Sequence, residues 1–386
     1  MMAPVPDHSA ASDDQIEIVG AGPAGLVCAI VLAKANRRVT VREWHKDVGH
    51  RFHDDFQGLE NWTDAQDVLD ELAEAGIEAD FDHSGLTEGV VFDSRARTHR
   101  VHGAKPLFYL LRRGSAPGSL DRALLAQAQA AGVEVRFNDR VTATAGNMIL
   151  AGGPRRADII AVGYVFDTAM PDGAWLAFGP ELAPKGYAYL LVNEGRGTVA
   201  SCIFTGFRDQ AKHLAATVSY FERHAGLQMQ NARGFGGFGN VRLPRTAMQG
   251  GKPVIGEHAG FQDALAGFGL RYAMRSGRLA AESLIRGTDY SKAWRQSLLP
   301  GLRAGVVNRF MFNRTGARGL DYLIGKLGAN DTRSLLGTAY RLSFPKRLVL
   351  PLARFRYRDP LKDSSCDHVD CDCVWCQHGL HDASDA

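Results

Sequence analysis

Three glycines and one acid carry the most specific chemical pattern in this sequence. Gly20, Gly22 and Gly25 stand at G-x-G-x-x-G spacing between an apolar strand, Ile16 to Val19, and an apolar helix with Leu26, Val27, Ile30 and Leu32. A second strand, Val39 to Val41, leads to Glu43, 18 residues beyond Gly25. In such a unit the first glycine permits the tight turn and the second lets backbone approach a pyrophosphate. The third lets helix and strand pack closely. The helix N-terminus adds free N–H groups and a positive dipole end. A carboxylate at the position of Glu43 can meet a ribose 2′-OH. Strand, glycines, helix, strand and acid in register predict a dinucleotide site, with Gly20, Gly22, Ala24 and Gly25 at the phosphates.

A second glycine-rich stretch narrows the cofactor. From Pro253 a short strand delivers Gly256 and Glu257, a loop carries Gly260, and Gly267, Phe268 and Gly269 open a further helix. An acid there could bind a ribityl chain, and the helix start could stabilise charge at a flavin N1–O2 edge. The expected cofactor is therefore FAD. Arg51, in a polar loop with His45, His50 and His53, is a candidate for the FAD phosphates or ribose.

These stretches resemble the FAD-dependent geranylgeranyl reductases, within the aromatic-hydroxylase-like flavoprotein superfamily, over roughly Ile16 to Ile285. The resemblance rests on G-A-G-P-A-G (Gly20 to Gly25), on Glu43, and on G-E-H-A-G-F-Q-D-A-L-A-G-F-G. The last is similar to the family's G-D-A-A-G…P-x-x-G-x-G, with Glu257 for Asp and Ala264 for Pro. Pro184 to Val192 is similar to the family's P-x-x-Y-x-W-x-F-P, with Tyr189, Leu191 and Val192 replacing Trp, Phe and the final Pro. The resemblance implies that Tyr187, Tyr189 and Leu191 line an isoprenoid tunnel beside the flavin, and it makes Tyr187 the candidate catalytic residue. Alternation along a strand also puts Tyr187 and Tyr189 on one face, suited to an apolar ligand or equally to a sheet core.

The implied reaction is reduction of C=C bonds of a polyprenyl lipid by hydride transfer from reduced flavin. The alternative is an FAD-dependent monooxygenase or halogenase acting on an apolar or aromatic substrate. The hydroxylases' D-G pair before the inserted domain is missing, because the corresponding stretch ends Ala161-Val162-Gly163. A further reading is a non-catalytic flavin-binding redox or metal sensor. Gly234 to Gly239 also satisfies G-x-G-x-x-G, yet it follows a polar run and reads as a mobile Gly/Phe loop. With one dinucleotide unit, electrons would come from transiently bound NAD(P)H or from a ferredoxin-type donor protein.

Cys366, Cys371, Cys373 and Cys376 fall within eleven residues in an acidic tail. Their spacing could gather a zinc ion or an iron–sulfur cluster, or serve a redox-active tail without metal.

The elements that must position these groups predict an α/β chain. Residues 15–163 and 250–290 form a discontinuous Rossmann-like FAD-binding domain, and 164–249 an inserted, mainly antiparallel β substrate domain. A flexible N-terminus (1–14), a basic helical region (291–362) and the Cys-rich tail (363–386) complete the chain. Thr63 to Gly76 reads as a helix with a capping box at Thr63 and Gln66. Met148 to Leu150 reads as the partner of Val141 to Thr144 across Gly146-Asn147, Ala264 to Ile285 as one long helix, and the residues between the strands at Val90 and Leu107 as a basic loop.

The 386 residues, 45% hydrophobic and 23% charged, are ordinary for a globular enzyme. No apolar run reaches the ~18 residues that span a bilayer, and the first residues lack the basic and apolar segments of a signal peptide. A cytoplasmic protein is expected, with a peripheral position at the inner face of the membrane left open. Between Gly301 and Lys362 stand 13 Lys/Arg against 3 Asp/Glu. Arg341 to Arg354 suits an anionic membrane surface as well as a solvated basic face. No nucleic-acid partner is expected.

Overall fold

The computed structural model describes residues 15–357, apart from 144–145, 155–156 and 242. The Cys366, Cys371, Cys373 and Cys376 cluster and the N-terminal 1–14 lie outside the described residues. The chain is mixed α/β, with a parallel Rossmann-like sheet, antiparallel sheets and C-terminal helices, as the sequence predicts.

Strand Gln15–Val19 lies inside a four-stranded parallel sheet, between Arg38–Arg42 and Met148–Leu150, with Glu134–Arg136 at the edge. Helix Pro23–Lys34 is covered on almost every side, which explains its near-continuous apolar sequence. Ile18, Leu26, Ile30, Val41 and Ile149 form the centre of the core beneath it. On its far side packs helix Leu270–Arg286. Gly277 makes that approach possible, since a Cβ there would stand 2.2 Å from the Ala24 carbonyl oxygen.

The second layer is a seven-stranded sheet in the order 230–239, 159–167, 196–203, 187–193, 173–177, 88–92, 98–102. A three-stranded antiparallel sheet, Phe56–Glu60, Phe108–Arg112 and His83–Leu86, stands beside the cofactor unit. Among the described residues five helices follow residue 289: Tyr290–Ser297, Leu299–Phe312, Ala317–Gly328, Thr332–Ala339 and Phe344–Arg356.

Several local expectations are corrected. Met148–Leu150 has no hairpin partner among the described residues; it pairs in parallel with Glu17 to Val19 at the edge of the four-stranded sheet, and Leu150 also bridges Val254. The basic loop after Phe92 contains strand Thr98–His102, paired antiparallel with Glu88–Phe92. Both belong to the large sheet, which therefore recruits residues well before position 164. A boundary at 163/164 falls inside the continuous strand Ile159–Asp167. The helix expected from Thr63 is Val68–Glu74, capped by Asp67, which accepts from the Leu69 N–H at 3.0 Å. Thr63 instead donates its hydroxyl to Glu60. Helix Leu270–Arg286 starts six residues later than Ala264 because Asp263 holds the intervening turn.

The Gly/Phe run is not a loop. It belongs to strand Gln230–Gly239, antiparallel to Ile159–Asp167. Phe235 sits opposite Gly163, where its ring takes the space a Cβ would need (2.7 Å), and Phe238 sits opposite Ile160.

Candidate functional site

The glycine turn is held by backbone contacts that exclude side chains. Gly20 has φ +109°, and a Cβ there would lie 2.4 Å from the Ala151 carbonyl oxygen. A Cβ on Gly25 would lie 2.1 Å from the Gly20 oxygen. Gly22 differs: nothing lies within 4 Å of its Cβ position, so the turn opens there. The first helix turn, with Gly22 at the N-cap and Pro23 following, leaves N–H groups without intrahelical partners. Glu43 ties this turn to the second strand. Its two carboxylate oxygens accept from the Ala21 N–H at 2.8 Å and the His45 N–H at 2.9 Å.

Against the same helix start packs the short turn Gly256–Ala259. Gly256 has φ +62°, its Cβ position is 2.8 Å from the Ala24 methyl, and its N–H donates to Ser276 at 2.8 Å. Gly260 closes the turn at φ +82°. Glu257 pairs with Arg51 at 3.0 Å, joining two candidates 206 residues apart. Arg51 also lies over the Phe52 and Phe238 rings.

Three buried polar atoms here find no partner among the described residues: Glu257 Oε1, Arg51 Nη1 and Gln262 Oε1. Two converge, since a Cβ on Gly239 would be 2.8 Å from both Glu257 Oε1 and Gln262 Oε1. Unpaired buried polar atoms are costly. An open glycine turn next to unpaired donor and acceptor atoms fits a ligand bearing phosphates and hydroxyls, as FAD does.

The turn 263–269, which carries Gly267, Phe268 and Gly269, is fastened by remote side chains. Asp263 accepts from the Ala266 N–H at 2.6 Å and the Tyr340 hydroxyl at 2.8 Å. Its own N–H donates to Phe268 O at 2.7 Å. Arg309, 1% exposed, donates to the carbonyls of Ala264, Leu265 and Lys185, with its guanidinium 3.6 Å from the Phe204 ring centroid. Tyr187 donates to the Ala266 carbonyl. Burial raises the Asp263 carboxyl above its ordinary range and lowers the Arg309 guanidinium. Burial also holds the Tyr187 and Tyr189 hydroxyls well above their ordinary range, so both stay protonated.

Tyr187 and Tyr189 share one face, with ring centroids 6.2 Å apart. Leu191 continues the row into a cluster with Phe56 and Leu110. Phe268 meets Trp62 edge-on at 4.8 Å. Asp55 is buried, accepts from the His53 N–H and the Gln57 amide, and interacts with Tyr189. Burial pushes its carboxyl up despite these bonds and Arg113.

Two groups of predicted residues are thus brought together: Gly20, Gly22, Ala24, Gly25 and Glu43 with Gly256, Glu257, Gly260 and Arg51, and Gly267, Phe268 and Gly269 with Tyr187. His45 and His50 stack on each other, at 4.3 Å between centroids. Gln262, Asp263, Arg309, Tyr340, Asp55 and Gly277 have roles the sequence reading missed. Gln262 and Asp263 lie inside the second glycine stretch and could have been weighed there. Arg309 carried no local signal. Among the described residues no group of three or more His, Cys, Asp or Glu is arranged to hold a metal ion.

Residues 18–60 match the family model of the NAD(P)-binding Rossmann-like domain. No curated protein matches the sequence. Solved structures match over nearly the whole chain. A geranylgeranyl bacteriochlorophyll reductase-like protein from Thermoplasma acidophilum has a TM-score of 0.68 at 18% identity, covering 90% of this chain and 99% of that one. The flavin-dependent brominase Bmp2 gives 0.60 at 17% identity, covering 90% and 99%. The chain shares its fold with flavin-dependent enzymes. p-Nitrophenol 4-monooxygenase from Pseudomonas putida DLL-E4 gives 0.60 at 13% identity, covering 86% and 100%. At these identities the likeness establishes the fold, and the reaction must be argued from this chain's own residues.

Proposed function

We propose that this protein is an FAD-dependent oxidoreductase that reduces C=C bonds of a polyprenyl, geranylgeranyl-type lipid. The observation that carries the reading is the row Tyr187, Tyr189 and Leu191, which starts under the 263–269 turn and continues into the apolar cluster with Phe56 and Leu110. Bound FAD would supply a hydride equivalent beside that row. The open turn at Gly22 and the helix start would hold the pyrophosphate, with Glu43 near the ribose. Glu257, Arg51 and Gln262 would satisfy their unpaired atoms on the ribityl hydroxyls and phosphates. The Gly267 N–H already donates to the Asp263 carbonyl at 3.0 Å, so the N–H groups of Phe268 and Gly269 would be the ones offered to the flavin.

For the lipid, the apolar row would orient the chain and exclude water. Tyr187, bonded to Ala266 and firmly protonated, positions the turn. Asp55 is the better proton holder: burial favours its neutral carboxyl and it lies next to Tyr189. Electrons would come from NAD(P)H meeting the flavin transiently, or from a ferredoxin-type protein. The deciding experiment purifies the protein without oxygen, records its visible spectrum, reduces it and incubates it with a geranylgeranylated lipid. Mass spectrometry should find products that have gained hydrogen in pairs, and Asp55→Asn should slow product formation while flavin stays bound. Oxygenated or halogenated product in air, with no hydrogen gain on any prenyl lipid, would replace this reading with the monooxygenase or halogenase one.

A further inference from the structure

The last described helix, Phe344–Arg356, is apolar on two opposite faces. One is accounted for. Ala353 is fully buried, and Val349 and Leu350 pack with Val306, Val307 and Phe310 of helix Leu299–Phe312. On the other stand Phe344, Leu348, Leu352 and Phe355, at i, i+4, i+8 and i+11, which a helix gathers within about 80° of arc. They are 72%, 65%, 66% and 76% exposed. A folded chain rarely leaves four large side chains in one row facing water.

Charge says what covers them. Residues 341–356 contain five Lys/Arg and no Asp/Glu. Arg347 and Arg354 are exposed and lie on one flank of the apolar row, and Arg303 stands beside Arg354. A second copy docked face to face with its helix antiparallel would set these arginines against their own counterparts. An anionic bilayer accepts both features, with the apolar row entering the acyl boundary and the guanidinium groups meeting phosphate and carboxylate headgroups. Among the described residues no helix is long and apolar enough to cross a membrane, so contact would be lateral.

We propose that the exposed face of helix Phe344–Arg356 docks the protein in the plane of an anionic lipid membrane, through Phe344, Leu348, Leu352 and Phe355 with Arg347 and Arg354 at its flank. Docking requires nothing of the chemistry proposed above, and its test needs no turnover. The full chain is mixed with phosphatidylcholine vesicles, with and without about one third phosphatidylserine, and bound protein is separated by flotation. Binding to the anionic vesicles only, weakening with salt, is the expected result. Arg347→Ala with Arg354→Ala should weaken it about 25-fold at low salt, near fivefold per cation. Leu348→Ser with Leu352→Ser should weaken it by at least about tenfold. Melting curves should be unchanged in the arginine pair, which tests the idea independently of any loss of fold in the leucine pair.

Three results would overturn the proposal. One is absent binding, or equal binding to neutral vesicles. Another is a concentration-dependent dimer that the leucine pair abolishes without any vesicle binding, which gives the face to a second copy. The third is vesicle binding that appears only after removal of residues 363–386, which gives it to the acidic tail.

Discussion

The two turns of the candidate site are built on opposite principles. The Gly20 to Gly25 turn is specified by missing side chains: at Gly20 and Gly25 a single methyl would lie 2.4 Å or less from a carbonyl oxygen. The 263–269 turn is specified by side chains that arrive from elsewhere. Tyr187, Arg309 and Tyr340 reach it across 79, 44 to 45 and 77 residues. The first is a steric device that admits no side chain at Gly20 or Gly25. The second is a polar device in a dry setting, where every lost partner strands a buried group.

The sharpest way to break the contrast is Arg309→Leu. It leaves the carbonyls of Ala264, Leu265 and Lys185 without their donor. Urea unfolding should show a loss of about 4 kcal/mol, with release of flavin if the turn holds it. A loss under about 1 kcal/mol would mean that the turn stands without its remote fastening.

Gly25→Ala should cost about 3 kcal/mol, through a contact that backbone can relieve only by opening the helix–strand junction. Since nothing surrounds the Gly22 Cβ position, Gly22→Ala should be close to neutral in unfolding experiments on the same protein. Equal costs at the two glycines would refute the steric account.

The smallest effect concerns pH. Asp263 has its folded pKa raised by burial above the ordinary aspartate value of 3.8. A raised carboxyl means that the folded state holds the proton more tightly than the unfolded chain. Its contribution is therefore greatest at low pH and declines as pH rises from about 3.8 through the folded value. Asp263→Asn removes this titration. Its stability relative to the native protein should improve as pH rises from about 4 to about 7. A difference that does not change with pH would place the carboxylate in a less buried setting. The Gly25→Ala deficit should show no such slope.

This contrast also explains what could be read in advance. The strand, glycine turn, helix and acid from Ile16 to Glu43 were legible because each requirement is met within 28 residues, by spacing alone. Gly256 to Gly269 was legible in its glycines, while Asp263, which delays the following helix, passed as part of it. The pairing of Glu257 with Arg51 joined two residues already suspected, although neither position announced the other. Gln230 to Gly239 was misread because a glycine-rich run suggests mobility, whereas its regularity comes from Gly163 and Ile160 on another strand. Strand Thr98–His102 was hidden by its basic residues, which an exposed edge strand can carry.

By itself, the sequence determined that a dinucleotide cradle exists, where its helix begins, and that the chain is mixed α/β. Those features depend on contacts between near neighbours, where glycine spacing and apolar periodicity act directly. Tertiary structure alone decided which strands share the large sheet, and which of its faces carries Tyr187, Tyr189 and Leu191. It also decided that Arg309, outwardly one more cation of a basic segment, is buried under the 263–269 turn. The physical reason is that a buried donor is satisfied by whatever carbonyl the fold brings within about 3 Å, and that proximity is set by packing rather than by position along the chain.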